Sequence, residues 1–219
     1  MVVVKTLAEK FLTQDERDRV TQAVKEAELQ TSGEIVPMIV SRSYDYPKAN
    51  LIATLLYSLP LTYILAHILS LYLWVDFFNI HFFFLLLLPL SFVFYRIILS
   101  YPILARIFIS SEEMAIEVEE EATKSFFTER LYETRDANGI LLFISVFEKK
   151  AWILADRGID ERIDQSQWQK IVDELTNEIR QNNRGAAICE AIENIGAILK
   201  DHFPYKRDDT DELHNLIIR

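Results

Sequence analysis

Residues 51–99 read LIATLLYSLPLTYILAHILSLYLWVDFFNIHFFFLLLLPLSFVFYRIIL, and this stretch decides the fold. Its first part, 51–75, carries no charge, and a helix of that length can cross a hydrocarbon core of about 30 Å with some tilt. A short polar break follows at 76–79, and in the second apolar run, 80–99, the first charged residue is Arg96. The alternative, a buried hairpin inside a soluble protein, fits two adjacent runs of this length poorly. The sequence therefore predicts a two-helix transmembrane hairpin.

The charges beside the hairpin predict its orientation. Four cationic residues flank the points where the chain enters and leaves it: Arg42, Lys48, Arg96 and Arg106. The turn between the spans offers only Asp76 and His81. Because cytoplasmic loops carry the excess of Lys and Arg, both chain ends should lie in the cytoplasm. We therefore expect a multi-pass protein of the plasma (inner) membrane, with its soluble domain on the cytoplasmic side.

The rest of the chain is acidic, which argues against one class of partner. The sequence has 33 Asp and Glu residues against 23 Lys and Arg, a formal net charge of −10. Binding to nucleic acid needs a basic surface that displaces phosphate counterions, so we expect no nucleic-acid partner. The single cysteine, Cys189, lies in an apolar helical segment, which predicts a buried and unreactive thiol.

The sequence on both sides of the hairpin predicts pieces of one α/β domain. These pieces are residues 1–48 and 110–205, followed by a polar C-terminal tail, 206–219. Before the hairpin, Thr13 and Glu16 form a capping box that opens a helix, and residues 34–40 read as a strand. Within that strand Pro37, which has no amide proton, indicates a sheet edge or a bulge.

After the hairpin, the pattern predicts a helix, two strands and two further helices, which begin at residues 110, 140, 151, 166 and 185. The last two helices are expected to begin at a capping box, Ser166 to Gln169, and at Gly185. A helix joins the first two strands, so they should be parallel, and a tight turn makes the third strand antiparallel. The sequence thus predicts a small mixed sheet in an α/β/α sandwich, interrupted by the transmembrane hairpin.

Three short segments carry a family resemblance. They are AELQTSGEIV at 27–36, NGILLFIS at 138–145 and ADRGI at 155–159. In this order and spacing they resemble the TPM-domain family, which includes thylakoid lumen proteins tied to photosystem II repair and many bacterial membrane proteins. The end of the chain, with HFP at 202–204 and acidic residues at 208–209 and 212, is similar to the bacterial branch whose TPM domain is split by a membrane hairpin.

The resemblance implies an α/β/α sandwich and three kinds of activity. Some members are described as acid phosphatases, some bind divalent cations, and others are accessory proteins of membrane complexes. The sequence itself shows no glycine-rich phosphate loop, no Cys-x5-Arg motif and no Arg-His-Gly motif, so no residue is assigned a catalytic role.

Oxygen-bearing side chains collect at one edge of the predicted sheet. Glu34 begins the first strand, Asp136 and Asn138 precede the second, and Asp156 and Asp160 follow the third. Calcium takes six to eight oxygen ligands in flexible geometry, so these five residues form a candidate site for Ca²⁺ or another divalent cation. The alternative is that they serve as turn and cap residues.

The opposite edge of the sheet is predicted to be basic. The first strand leads into the hairpin, so its carboxyl end, and that of the parallel second strand, should face the membrane. Lys149 and Lys150 follow the second strand and could meet anionic headgroups, each worth about 1 kcal/mol near the surface.

Two functional hypotheses follow. The first is a membrane-anchored binding or accessory module, which presents its acidic edge to a membrane protein complex during assembly or turnover. The second is a divalent-metal-dependent phosphoester hydrolase, in which the metal would polarise the phosphoryl oxygen and activate water.

Overall fold

The computed structural model describes residues 6–73, 80–205 and 213–219. Its chain divides into two compact units: residues 45–114, and residues 1–44 together with 115–219. The predicted interspan turn, 76–79, and the first part of the predicted tail, 206–212, lie outside the described residues.

The larger unit is built on a four-stranded mixed sheet. The strands are β1 (Glu34–Val40), β2 (Gly139–Ser145), β3 (Lys150–Ala155) and β4 (Ile217–Ile218), arranged in the order β3-β2-β1-β4. The first strand pairs in parallel with the second from Glu34↔Gly139 to Val40↔Ser145, and β3 runs antiparallel to β2. These pairings confirm the predicted strand directions.

Helices cover both faces of this sheet. They are α1 (Gln14–Glu28), α4 (Ser111–Thr128), the short α5 (Arg157–Asp160), α6 (Gln165–Arg180) and α7 (Arg184–His202). One face of the sheet, which includes Ile35 and Leu142, shares a core with α1, α6 and α7, and the other, which includes Met38 and Phe143, packs against α4. Every residue of β1 and β2 is buried, as expected for strands covered on both faces. The predicted α/β/α sandwich is therefore confirmed.

Pro37, which has no backbone N–H, lies at a position of β1 where no neighbouring strand needs that hydrogen-bond donor. Even-numbered residues of β1 bond to the β2 side: the amide of Glu34 donates to Asn138, and the carbonyl of Val40 accepts from Val146. Odd-numbered residues face the other side, where β4 joins only at Met38 and Ile39. Because Pro37 precedes that short pairing, its absent N–H breaks no ladder bond.

The C-terminus corrects the prediction of a polar tail. The segment Ile217–Ile218 forms β4 and pairs in parallel with β1. Backbone bonds extend this contact, because the amide of Arg219 donates to Ile39 and its carbonyl accepts from Ser41. The sheet therefore has a fourth strand, which the sequence pattern missed.

Helix α6 also begins differently from the prediction. Its N-cap is Asp164, whose carboxylate accepts from the amide of Ser166 at 2.8 Å, so Ser166 is inside the helix and forms no capping box. Hydrogen bonding with the Ser166 side chain, and then with its backbone amide, lowers the pKa of the exposed Asp164 carboxyl. The capping box at Thr13 and Glu16 forms as predicted.

The smaller unit contains the predicted hairpin. Helix α2 (Pro47–Leu73) and helix α3 (Ile80–Ser100) pack against each other, and two short 3-10 turns, Pro102–Leu104 and Arg106–Phe108, follow them. Segments Pro47–Tyr72 and His81–Ser100 are long and apolar enough to cross a membrane. The observed bounds differ from the predicted spans, 51–75 and 80–99, mainly because α2 begins at Pro47.

Candidate functional site

The predicted edge forms where β1 and β2 begin side by side. The amide of Glu34 donates to the carbonyl of Asn138 at 3.1 Å, and the amide of Asp156 donates to the carbonyl of Gly139 at 2.8 Å. Three of the five predicted metal ligands, Glu34, Asn138 and Asp156, therefore have neighbouring backbones.

Asn138 is a structural residue of this edge. Its side-chain amide donates to the carbonyl of Ser32, just before β1, and its backbone amide donates to the hydroxyl of Thr134 at 3.1 Å. The residue is 3% exposed. Because this side chain joins the segments that precede two parallel strands, it helps to fix where each strand begins.

Glu34 is also enclosed by the fold. It is 5% exposed and stands at the first position of β1, opposite Gly139. The next amide, that of Ile35, donates to the carboxylate of Glu28 at 3.0 Å, so α1 supplies a second carboxylate at the start of the strand.

Asp156 and Asp160 lie at the two ends of the short helix α5 and have different surroundings. Asp156 is its N-cap, and Oδ1 accepts from the amide of Arg157 at 2.7 Å. Within the described part of the chain, the other oxygen, Oδ2, is buried without a hydrogen-bond partner. Asp160 is exposed, and its backbone amide donates to the carbonyl of Asp156. The neighbouring exposed acid, Glu161, pairs with Arg157 at 2.7 Å.

Asp136 lies in the loop before β2 and is half-buried. This loop contacts the DRG segment of the family resemblance, because the amide of Gly158 donates to the carbonyl of Ala137 at 3.1 Å. A Cβ at position 158 would lie 2.5 Å from that carbonyl oxygen. Glycine is therefore required here by close backbone packing.

The structure brings the backbones of three predicted ligands together. Across residues 6–73, 80–205 and 213–219, no group of three or more His, Cys, Asp or Glu side chains is placed to hold a metal ion. The hydrogen bonds of Asn138 and the cap of Asp156 match the alternative turn and cap roles. The calcium site stays a prediction, and the buried Oδ2 of Asp156 is one oxygen that could serve it.

Sequence reasoning missed two partners at this edge, Ser32 and Thr134. Both are buried polar residues, 2% and 8% exposed. A signal was available for Thr134, because a hydroxyl four residues before a turn residue can accept its amide hydrogen bond. Ser32 contributes a backbone carbonyl, which no side-chain pattern reveals.

The surroundings of Cys189 agree with the prediction of an unreactive thiol. Cys189 lies half-buried on α7 beside the main core. Burial raises the pKa of its thiol, which favours the protonated form at neutral pH.

Comparison with known proteins identifies the domain. A family model described as the TPM domain matches residues 106–198. This match confirms the resemblance to the TPM-domain family. The matched segment includes β2, β3 and α6, while α1 and β1, which precede the hairpin, lie outside it and complete the same sheet and core in the structure.

A solved structure shares the fold. The NMR structure of the BA42 protein from the psychrophilic bacterium Bizionia argentinensis matches with a TM-score of 0.57 and 21% sequence identity, over 94% of each chain. At that identity the likeness concerns the fold alone. No curated protein matches the chain.

Proposed function

We propose that this protein is a TPM domain anchored by a transmembrane hairpin in the plasma (inner) membrane. In this proposal the domain lies on the cytoplasmic side and is a binding or accessory module for the assembly or turnover of a membrane protein complex. The exposure of apolar side chains on α2 and α3 carries the proposal.

That exposure argues against a core hairpin of a soluble protein. Within an 18-residue apolar segment of each candidate span, only 28% of the first and 11% of the second is buried. Large side chains such as Leu71, Leu85 and Leu88 are more than two-thirds exposed. A lipid environment would remove this apolar surface from water, at roughly 25 cal/mol per Å².

The contact between the two helices also suits a membrane. Its buried positions on α2 include small residues four apart: Ala49 and Ala53, then Ser58, Thr62 and Ala66. The hydroxyl of Ser91 on α3 donates to that of Ser58 on α2 at 3.0 Å, and within α2 the Thr62 hydroxyl donates to the backbone carbonyl of Ser58. Small residues and hydroxyl bonds between helices are typical of transmembrane packing.

The edge at β1 and β2 supports a binding role for the domain. Its buried polar groups, such as Asn138, hold the strand starts in place, while charged residues on and after α5, including Asp160 and Asp164, point to solvent. A fixed scaffold that carries exposed charges is suited to recognise a protein partner with complementary charge.

Cysteine labelling tests the topology. Gln22 and Asn177 are exposed and lie before and after the hairpin, so each reports the side on which its segment lies. In a Cys189→Ser background, Gln22→Cys and Asn177→Cys should label only after cells are opened, and Asn79→Cys in intact cells. Labelling of all three from the same side would refute the hairpin.

Site-specific photo-crosslinking tests the binding role. A photoreactive amino acid at Asp160 should crosslink the full-length protein to a component of a membrane complex, while one at exposed Gln22 on α1 should not. The same purified preparation, assayed for phosphoester turnover with Ca²⁺, Mg²⁺ or Mn²⁺, tests the hydrolase hypothesis. Metal-dependent turnover without a site-specific crosslink would reject the accessory role.

A further inference from the structure

A third apolar segment follows the two candidate spans. Residues 101–109 read YPILARIFI, and Arg106 is their only charge. They contain the two 3-10 turns, Pro102–Leu104 and Arg106–Phe108, and α4 begins shortly after them, at Ser111. A connection that lies in water is normally polar and rich in turn residues. The composition of this segment instead indicates a segment that is removed from water.

One side of the segment packs against the hairpin. Ala105 is 1% exposed and shares a small core with Ala53 of α2 and Ile98 of α3. Tyr57 of α2 holds the neighbouring turn, because its hydroxyl donates to the carbonyl of Leu104 at 3.1 Å. The segment therefore folds back along α2 instead of leading away from it.

These contacts fix the depth of the segment along α2. Lys48 is the last charge before α2 becomes apolar, and the apolar run begins at Leu51. Ala53 and Tyr57 lie about 3 and 9 Å beyond Leu51 along the helix axis, at 1.5 Å per residue. Interfacial segments bury their apolar side about 5–10 Å into the boundary between headgroups and acyl chains. If α2 spans the bilayer, residues 101–109 lie at the depth of this boundary.

The other side of the segment is apolar and exposed. Ile103 and Ile107, four positions apart, are 59% and 75% exposed, and Tyr101 is 63% exposed. Single exposed apolar side chains are normal, whereas neighbouring ones that form a patch mark a contact with protein or membrane. This patch follows directly on the exposed apolar surface of α3, which ends at Ser100. Because the two surfaces are continuous, lipid is the occupant that fits the patch.

The backbone of the segment is suited to that depth. Hydrocarbon offers no hydrogen-bond partner, so a non-helical backbone there must form its hydrogen bonds within the protein. Amides of the segment donate to carbonyls of the segment itself or of the end of α3, at distances between 2.8 and 3.2 Å: those of Tyr101, Leu104, Ala105, Phe108 and Ile109. Pro102 has no amide proton to satisfy.

We infer that residues 101–109 form an interfacial anchor, which lies in the membrane leaflet where α2 begins and buries Ile103 and Ile107 among lipid chains. The inference rests on the proposed transmembrane hairpin and adds a third membrane contact to it. Tyr101 fits this placement, because tyrosine is enriched at membrane interfaces, where its ring is in an apolar region and its hydroxyl reaches water. Both apolar sides of the segment are then removed from water, one by the hairpin and the other by lipid.

Spin labelling of the full-length protein in phosphatidylcholine nanodiscs tests this inference. In a Cys189→Ser background, a nitroxide is attached at Ile107→Cys or Ile103→Cys, two exposed positions that leave the contacts with α2 intact. The measurement is the collision rate with oxygen, which concentrates in lipid, divided by the collision rate with a water-soluble nickel complex. This ratio should be several-fold higher at both positions than at Gln22→Cys, an exposed site on α1.

A label at Leu88→Cys separates failure of the anchor from failure of the hairpin. Leu88 is 68% exposed near the middle of α3, so its label should give the highest ratio if α3 spans the bilayer. A high ratio at Leu88, with a ratio at Ile107 as low as that at Gln22, would place the segment in water and overturn the inference while the hairpin stands. Slow collisions with both reagents at Ile107 would show that protein covers it, which also overturns the inference. A low ratio at Leu88 would refute the hairpin and the anchor together.

Discussion

Replacing Asn138 by aspartate separates a structural role from a metal-binding role. In the structure, the side-chain amide of Asn138 donates to the carbonyl of Ser32, and the residue is 3% exposed. Aspartate has nearly the same shape but, when ionised, only accepts hydrogen bonds. If Asn138 is a structural donor, Asn138→Asp should destabilise the domain. If it were a calcium ligand, the added charge should strengthen binding.

The structure gives the size of the effect. The lost hydrogen bond is worth about 1 kcal/mol, and a buried carbonyl left without its donor costs about 1–3 kcal/mol more. We therefore expect a loss of about 3 kcal/mol at neutral pH. Burial should raise the folded pKa of the new carboxyl above its unfolded value of about 3.9, so the deficit should shrink as the pH falls through that raised pKa and level off below about pH 4, where the acid is protonated and can donate again.

Urea unfolding of the full-length protein, followed by tryptophan fluorescence, measures this loss. With a slope of about 2 kcal/mol per molar, a loss of about 3 kcal/mol moves the midpoint by about 1.5 M. The control is Asn177→Asp, the same substitution at an exposed position of α6. Equal shifts in both variants, or a midpoint for Asn138→Asp that rises with calcium beyond the wild-type response, would refute the structural role.

Four further predictions test other elements. Glu16→Gln should lower the free energy of unfolding by about 1 kcal/mol at neutral pH. The amide of Thr13 holds the folded pKa of Glu16 below 4.5, so the difference from wild type should vanish as the pH falls through that lower value. A difference that persists in acid would contradict this. Gly158→Ala should destabilise by about 1–3 kcal/mol through a clash with a backbone carbonyl, and an unchanged urea midpoint would reject the close approach. A Gly/Ser linker that joins residue 45 to residue 110 should leave a domain with a cooperative thermal transition, whereas a molten product would show that the spans supply part of the fold. Millimolar Ca²⁺ should raise the melting temperature of that shortened domain by roughly 5–10 °C, and a rise that survives Asp156→Asn would exclude the predicted site.

The central strands could be predicted because their signals were strong and independent. Residues 140–146 form a continuous apolar run, and a helical segment separates it from 34–40, which requires a parallel crossover. The capping box at Thr13 uses two side chains three positions apart, so it is also visible in sequence. In both cases the residues that produce the element are close together in the sequence, so the sequence pattern reveals them.

The fourth strand could not be predicted, because it has no local sequence pattern. Ile217–Ile218 is two residues long, and a strand that short has no alternation to detect. Its position depends on bonds between Arg219 and residues nearly two hundred positions earlier, Ile39 and Ser41. Such pairing is set by the finished sheet, which offers a free edge beside Met38.

Topology places three of the five candidate ligands at one edge of the sheet, and the metal site itself stays a prediction. The strand order correctly placed Glu34, Asn138 and Asp156 at one edge. However, Asn and Asp readily bond to nearby backbone groups, and here Asn138 bonds to Ser32 while Asp156 caps α5. A sequence lists the oxygen donors but cannot show which of them the backbone already uses.

Polar residues have different roles at the two ends of the parallel strands β1 and β2. At one end they are buried and stabilise the fold, and at the other they are exposed. At the amino end, Asn138 is buried and bonded, so its removal leaves a buried group without a partner. At the carboxyl end, Lys149 and Arg180 are exposed and, among the described residues, unpaired, so neutralising them removes little that holds the fold. Asn138→Asp at the amino end should therefore lower the urea midpoint, and Lys149→Gln or Arg180→Gln at the carboxyl end should leave it nearly unchanged. Wild-type stability in Asn138→Asp, or a large loss in Lys149→Gln, would show that this division between the two ends is wrong.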